Sequence, residues 1–280
     1  DAATRYLESQ SSAAFGYRDQ LQDSQLFLPL DPDLTKKQII LHAEHQYLDG
    51  AVKHWWFPLT EAGPKSGQMD TPLWLVYVTL NYIDETNDIN LLGQKASFVD
   101  GAARPLFDHC VRSLERALSK SSKRGLPLIG DGDWNDGLSN VGNRWKGESV
   151  WLGHFLYALL HRWAGICDER PRIAGVTPAK MKSMAKRCRA KAEAIKKAIN
   201  KHAWDGAWYW RATNDEGKIL GSKKSKEGKI FLNAQTWAVI NGTATPDRAR
   251  RAMASMEKLL NREYGPLLLT PAYTTPDSTI

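Results

Sequence analysis

Leu126-Pro127-Leu128-Ile129-Gly130-Asp131-Gly132-Asp133-Trp134-Asn135-Asp136-Gly137 stands between two stretches of helical periodicity, one over 103–120 and one over 149–167. Three Asp, one Asn and one Trp are set among glycines, which end the helical pattern and let the backbone turn sharply. So dense a polar loop between two helices points to function, because loops held on a rigid scaffold carry binding and catalytic groups. Glycosidic bond cleavage needs a carboxylic acid to protonate the departing oxygen, and carboxylates crowded beside an aromatic ring are one way to keep that proton at neutral pH. Asp131-x-Asp133-x-Asn135 also mimics the start of a calcium-binding loop. The sixth position is Asp136 where such loops need Gly, and the twelfth is Gly142 where they need Glu, so calcium is rejected.

Outward from this loop, apolar residues recur at spacings of three and four between Gly, Pro and Asn punctuation. The pattern predicts helices over 14–28, 35–49, 71–86, 103–120, 149–167, 178–201, 234–241 and 246–261. Asp70-Thr71-Pro72 and Thr177-Pro178 open two of them, and Gly242 closes a third. Over 203–232 the pattern changes: Trp208-Tyr209-Trp210-Arg211 alternates like a strand, Asp215-Glu216-Gly217 is a turn signal, and Ile219-Leu220 follows. The reading is an all-α fold of antiparallel helix pairs with one small β-hairpin insertion and functional loops between helices. No short solenoid repeat is found.

With 280 residues, 42% of them hydrophobic, the chain can bury the core of one large domain or two small ones. The net charge is +7, and residues 179–201 hold nine Lys or Arg against the single acid Glu193, so the rest of the chain is near neutral. In that window Met181, Met184, Cys188, Ala192, Ile195 and Ile199 form one apolar helical stripe. The basic residues are therefore read as its solvated back, and no nucleic-acid partner is expected. Cys110, Cys167 and Cys188 are odd in number and lack metal-ligand spacing, which fits a reducing, cytoplasmic location without disulfide or zinc. No run approaches the ~20 apolar residues of a membrane span, and the N-terminus has no basic-then-apolar leader pattern. The chain starts without Met and stops just after the turn-like Pro276-Asp277-Ser278, so it is expected to be cut from something longer.

Four more segments carry polar or aromatic groups suited to a sugar. Gly16-Tyr17-Arg18-Asp19-Gln20-Leu21-Gln22-Asp23 packs donors and acceptors on a helix, with Arg18 and Gln22 on one face and Asp19 and Asp23 on the next. His54-Trp55-Trp56-Phe57-Pro58 is read as the end of a helix, where two adjacent Trp cannot both face the core and one faces a cleft. Glu148-Ser149-Val150-Trp151 and Phe231-Leu232-Asn233-Ala234-Gln235 each begin a helix, the second with Asn233 as its cap. Eleven Trp in all is a further sign, since indole offers a flat apolar face together with an N–H donor.

Taken together, these segments resemble glycoside hydrolase family 94, the inverting β-glucan phosphorylases. The likeness extends through Trp208-Tyr209-x-Arg211, Gly228-Lys229-Ile230-Phe231-Leu232-Asn233-x-Gln235-x-Trp237 and Tyr264-Gly265-Pro266-Leu267-Leu268-Leu269-Thr270-Pro271, in the family's order. The resemblance implies an (α/α)6 barrel, a six-hairpin toroid, with residues 1–280 as an incomplete part of it. The family's N-terminal β-sandwich and C-terminal part are absent. It implies cleavage of a β-linked gluco-oligosaccharide by inorganic phosphate as co-substrate, with no cofactor, by a homodimer. Asp136 falls on the family's proton donor, Trp134 lines the donor-sugar subsite, and Arg18 and Asp23 hold donor hydroxyls. Asp133, Asn135, Trp55 and Gln235 complete the expected sugar contacts. The phosphate-binding His and the Thr-Gly pair of the family fall beyond Ile280. One departure lies in the loop 58–72, where an Arg-containing stretch leading to Asp-Asp-Leu-Leu-Trp is replaced by Gln68-Met69-Asp70-Thr71-Pro72-Leu73-Trp74. An inverting hydrolase on the same barrel is the alternative; it needs a second carboxylate, for which Asp70, Glu148 and Glu227 are candidates.

Overall fold

A computed structural model describes residues 14–169 and 172–280. The reading of the N-terminus as lacking a leader falls outside these residues. The α-helices among them are α1 (Tyr17–Ser24), α2 (Pro32–Ala43), α3 (Leu73–Thr86), α4 (Leu106–Ser119), α5 (Val150–Glu169), α6 (Pro178–His202), α7 (Leu232–Ile240) and α8 (Pro246–Leu259). Short strands lie between them: β1 (Phe15–Gly16), β2 (Trp55–Trp56), β3 (Lys95–Phe98), β4 (Gly101–Pro105), β5 (Glu148–Ser149), β6 (Ala212–Thr213), β7 (Ile219–Leu220), β8 (Ile230–Phe231) and β9 (Leu269–Thr270). The chain divides into two compact units, Asp1–Ser119 with Arg162–Arg187, and Lys120–His161 with Cys188–Ile280.

In the first unit α3 is apolar on most sides, burying Leu73, Trp74, Leu75, Val76, Val78, Leu80 and Ile83 between α1, α2 and α4. It ends at Asn87, whose left-handed backbone (φ 55) lets its N–H reach the carbonyl of Ile83. α4 is strongly two-faced, with Phe107, Cys110, Leu114 and Ala117 inward. Phe107 meets Trp163 of α5 at 5.3 Å, and Glu115 receives Arg187 of α6 at 2.7 Å. Along α6 the stripe Met181, Met184, Cys188, Ala192, Ile195 and Ile199 is buried, while Lys182, Lys186, Arg187, Arg189 and Lys191 lie exposed on its other face.

Five local readings change. The segment 14–28 is not one helix: Gly16 is extended and pairs with Trp55, and only Tyr17–Ser24 is α-helical before a 3-10 turn. Trp55-Trp56 is accordingly a strand and not a helix end. α2 starts earlier, with Pro32 in its first turn, and stops at Ala43 because the chain then folds back to bridge Gln46 with Val52. Residues 101–105 form a strand that pairs with Lys95–Phe98, a hairpin closed by the turn at Val99-Asp100. Asn233 sits inside α7 and does not cap it; Phe231 holds that position.

In the second unit the expected hairpin forms between β6 and β7, and β5 adds a third strand with Ser149 opposite Ala212. Beneath it, Ile129, Leu138, Val141, Ala212 and Leu220 make a small apolar core. α5 approaches α6 closely at Gly153, where a Cβ would stand 3.0 Å from the Ile199 side chain. Among the described residues no helix is long and apolar enough to cross a membrane.

Candidate active site

The polar loop is built on that small core. Leu128 bridges Glu148, and the Ile129 N–H donates to the Gly147 carbonyl at 2.9 Å, so the chain enters the loop along β5. Gly130 (φ 64) and Gly132 (φ 145) then turn it in conformations that side chains resist. Asp133 Oδ1 accepts the Asn135 N–H at 3.0 Å, and Asn135 Oδ1 accepts the Gly137 N–H at 3.1 Å. These two Asx turns start the 3-10 turn Asp136–Leu138, and Leu138 anchors it in the core. The return path is held by Asp215, whose carboxylate accepts the N–H groups of Arg144, Lys146 and Gly147 at 2.7, 2.9 and 2.8 Å. Burial pushes the Asp215 carboxyl up, but these bonds outweigh it and hold it below the usual carboxylate range.

This arrangement leaves the side chain of Asp136 exposed, beside an exposed indole. Trp134 stacks on Trp151 (centroids 5.5 Å, 25°) and meets the edge of Trp237 at 5.3 Å. Trp151 itself is fully buried, so Trp134, which stays partly exposed, rests on a rigid floor. Next to the acid, at Gly137, a cavity of about 330 Å³ opens, walled by Tyr273, Thr274 and Thr275. That volume is in the range of small-ligand sites. An exposed carboxyl, an indole and a cleft are thus brought together in one unit.

Two residues that the sequence assigns to sugar contacts are enclosed in the protein. Asp133 has no exposed surface; Arg211 Nη2 bonds its Oδ1, and Ser149 Oγ donates to its Oδ2 at 2.7 Å. Burial raises the Asp133 carboxyl, yet the Arg211 guanidinium and these bonds hold it below the ordinary value. Gln235 is also fully enclosed: its Oε1 accepts the Tyr209 N–H at 2.8 Å, and its Nε2 donates to the carbonyls of Tyr209 and Phe231 at 2.9 and 3.1 Å. Both are committed to the protein frame. Asn135 is half-buried and fixes the turn that carries Asp136.

In the first unit, the β1–β2 pairing sets Trp55 opposite Gly16, directly before Tyr17 and Arg18. Arg18 donates to Gln68 Oε1 and Asp70 Oδ2, both at 3.4 Å, and Asp70 also accepts from the Trp74 indole at 3.0 Å. The departing loop 58–72 therefore supplies the partners of Arg18. Asp23 and Trp55 are half-buried. Of the carboxylates weighed as a second catalytic group, Asp70 is fully buried in this cluster. Glu148 is buried against Arg124, with Thr213 Oγ1 at 3.2 Å, and Glu227 accepts from the Thr274 N–H at 3.0 Å.

Ser149, Trp151 and Arg211 were within the motifs, yet sequence reasoning gave them no part in the site. Arg211 carried the one usable signal: a cation closing the apolar alternation Trp208-Tyr209-Trp210 has to be buried, and a buried cation needs a carboxylate.

A family model described as the catalytic domain of the Glycosyl hydrolase 94 superfamily matches residues 2–280. Solabiose phosphorylase of Paenibacillus borealis is 35% identical over 265 residues, covering 95% of this chain and 33% of that protein. Cyclic beta-(1,2)-glucan synthase NdvB of Rhizobium meliloti is 35% identical over 276 residues, covering 91% of this chain and 9% of that protein. The chain thus spans a third or less of these relatives. Among solved structures, a rhamnosidase from Klebsiella oxytoca with rhamnose bound superposes with a TM-score of 0.61 at 19% identity, over 88% of this chain and 42% of that one. That likeness concerns the fold, which is of the (α/α)6 six-hairpin class.

Proposed function

Because the chain belongs to the Glycosyl hydrolase 94 superfamily, as its catalytic domain, we propose that it cleaves a β-linked gluco-oligosaccharide with inorganic phosphate and inversion, giving an α-sugar 1-phosphate. One observation carries this reading: an exposed Asp136 carboxyl on a loop tied down on both sides, two residues from the partly exposed Trp134 indole. Asp136 gives its proton to the glycosidic oxygen as the C1–O bond breaks. A phosphate oxygen forms the new bond to C1 from the opposite face, and the released sugar leaves as the neutral alcohol. Phosphate arrives as an anion and needs no base to activate it, so one protein carboxylate suffices. Glu148 and Glu227, the other candidates in this unit, are engaged by Arg124 and Thr274, which disfavours a water-activating role for them. Trp134 packs on the apolar face of the donor sugar, and Arg18, Asp23 and Trp55 bind sugar through hydroxyl contacts and an aromatic face.

Three cysteines, odd in number and far apart in the sequence, support a reducing, cytoplasmic location. A homodimer completes the proposal.

The test uses the full-length protein. Proton NMR of the product is expected to show the α-anomer of a sugar 1-phosphate, and Asp136→Asn to lower the rate by about 10² to 10⁴-fold. A β-anomer, or an Asp136→Asn variant as active as the wild type, contradicts the assignment.

A further inference from the structure

We propose that Ser149 and Arg211 are positioning residues for the acid, acting through Asp133; the proposal rests on the phosphorolytic reading above. Asp133 precedes Trp134 by one residue and Asp136 by three, and it is the only one of these three with no exposed surface. Its carboxylate is gripped from two strands at once. Ser149, on β5, donates to Oδ2 at 2.7 Å, and Arg211, just before β6, bonds Oδ1. Arg211 Nη1 also donates to Ser149 Oγ at 3.3 Å, closing a three-membered buried network.

The two grips cannot drift apart, because Ser149 pairs with Ala212 and the Val150 N–H donates to the Arg211 carbonyl at 3.1 Å. Asp133 then passes the constraint forward, since its Oδ1 also accepts the Asn135 N–H, the bond that opens the turn carrying Asp136. The same guanidinium stands 6.0 Å from the ring of Trp151, the floor on which Trp134 stacks. One buried cation thus aims both the acid and the indole. A cation and an anion with no exposed surface, joined directly and again through Ser149, have little freedom to move, which is what a proton donor needs from its support.

A displaced acid fails most where the leaving group most needs a proton. A sugar alkoxide departs only as it is protonated, whereas dinitrophenolate departs without help. In the full-length protein, Ser149→Ala removes one bond to Asp133 and leaves the ion pair in place. It is expected to lower kcat on a β-linked glucose disaccharide by about tenfold or more, with KM little changed, while phosphorolysis of 2,4-dinitrophenyl β-glucoside stays within about twofold. Arg211→Lys, which keeps the charge and loses the fork, should show the same split more strongly. Hydrogen exchange at the amides of Asn135 and Gly137 should quicken in both variants. Equal losses on the two substrates, no loss on either, or unchanged exchange overturns the positioning role. A wild type that makes no sugar phosphate from either substrate overturns the functional reading instead, and the exchange measurement still decides whether Ser149 and Arg211 fix the loop.

Discussion

Gln235 uses every hydrogen-bonding atom of its amide on the backbone of Tyr209 and Phe231, in a place with no exposed surface. Tyr209 in turn leads to Trp210 and Arg211, so the amide ties the approach to the site to the start of α7. Gln235→Met keeps the volume and removes the amide, stranding a buried N–H and two carbonyl oxygens. We expect it to destabilise the protein by about 2 to 4 kcal/mol, as read from chemical denaturation. A change below about 0.5 kcal/mol together with a raised KM for sugar would return Gln235 to the ligand contacts. Asp133 shows the same distinction by charge. An acid in a cluster of acids reads as a sugar contact or a proton donor until a partner such as Arg211 is seen, and that partner lies 78 residues away.

Elements were more legible than side-chain roles. α3, α5, α6, α7 and α8 begin and end within a few residues of the apolar periodicity, because their punctuation is local: Pro178 opening α6, Pro246 after the capping Thr245, Gly242 (φ 69) after α7. Strands of two residues were not legible, since a two-residue pairing has no period to detect. Gly16 and Trp55 pair across 39 positions, and nothing near either residue encodes the other. The hairpin at 95–105 did carry a signal, Ala96 and Phe98 buried in alternation before Asp100-Gly101, but the helical pattern beyond it was extended over its second strand. Of the site, the loop and its indole were visible in sequence. The frame that holds them was not, because it is made by long-range pairs: Ser149 with Asp133, Arg211 with Asp133, Asp215 with the 144–147 backbone.

At the scale of the whole molecule, stability should fall on mild acidification. Burial pushes the His42 and His154 rings down to about 3, so both are neutral in the fold, and His109 is lowered as well. In the unfolded chain a histidine takes up its proton near pH 6.5. Between 6.5 and about 3 the unfolded state therefore binds more protons, and each ring removes about 1.4 kcal/mol of stability per pH unit. Asp133 and Asp215, held below the carboxylate range, add their loss only at the acid end of that window. A melting temperature that drops steadily from pH 6.5 to 5 is expected; a flat profile would show that these rings are reached by solvent.

The central claim concerns what attacks the sugar, and it is tested by leaving phosphate out. The full-length protein is incubated with β-linked gluco-oligosaccharides with and without inorganic phosphate, and both sugar 1-phosphate and free glucose are assayed. α-Glucose 1-phosphate is expected, formed only when phosphate is present and lost in Asp136→Asn. Release of free glucose from the oligosaccharide at the same rate without phosphate, and no sugar phosphate with it, would contradict phosphorolysis.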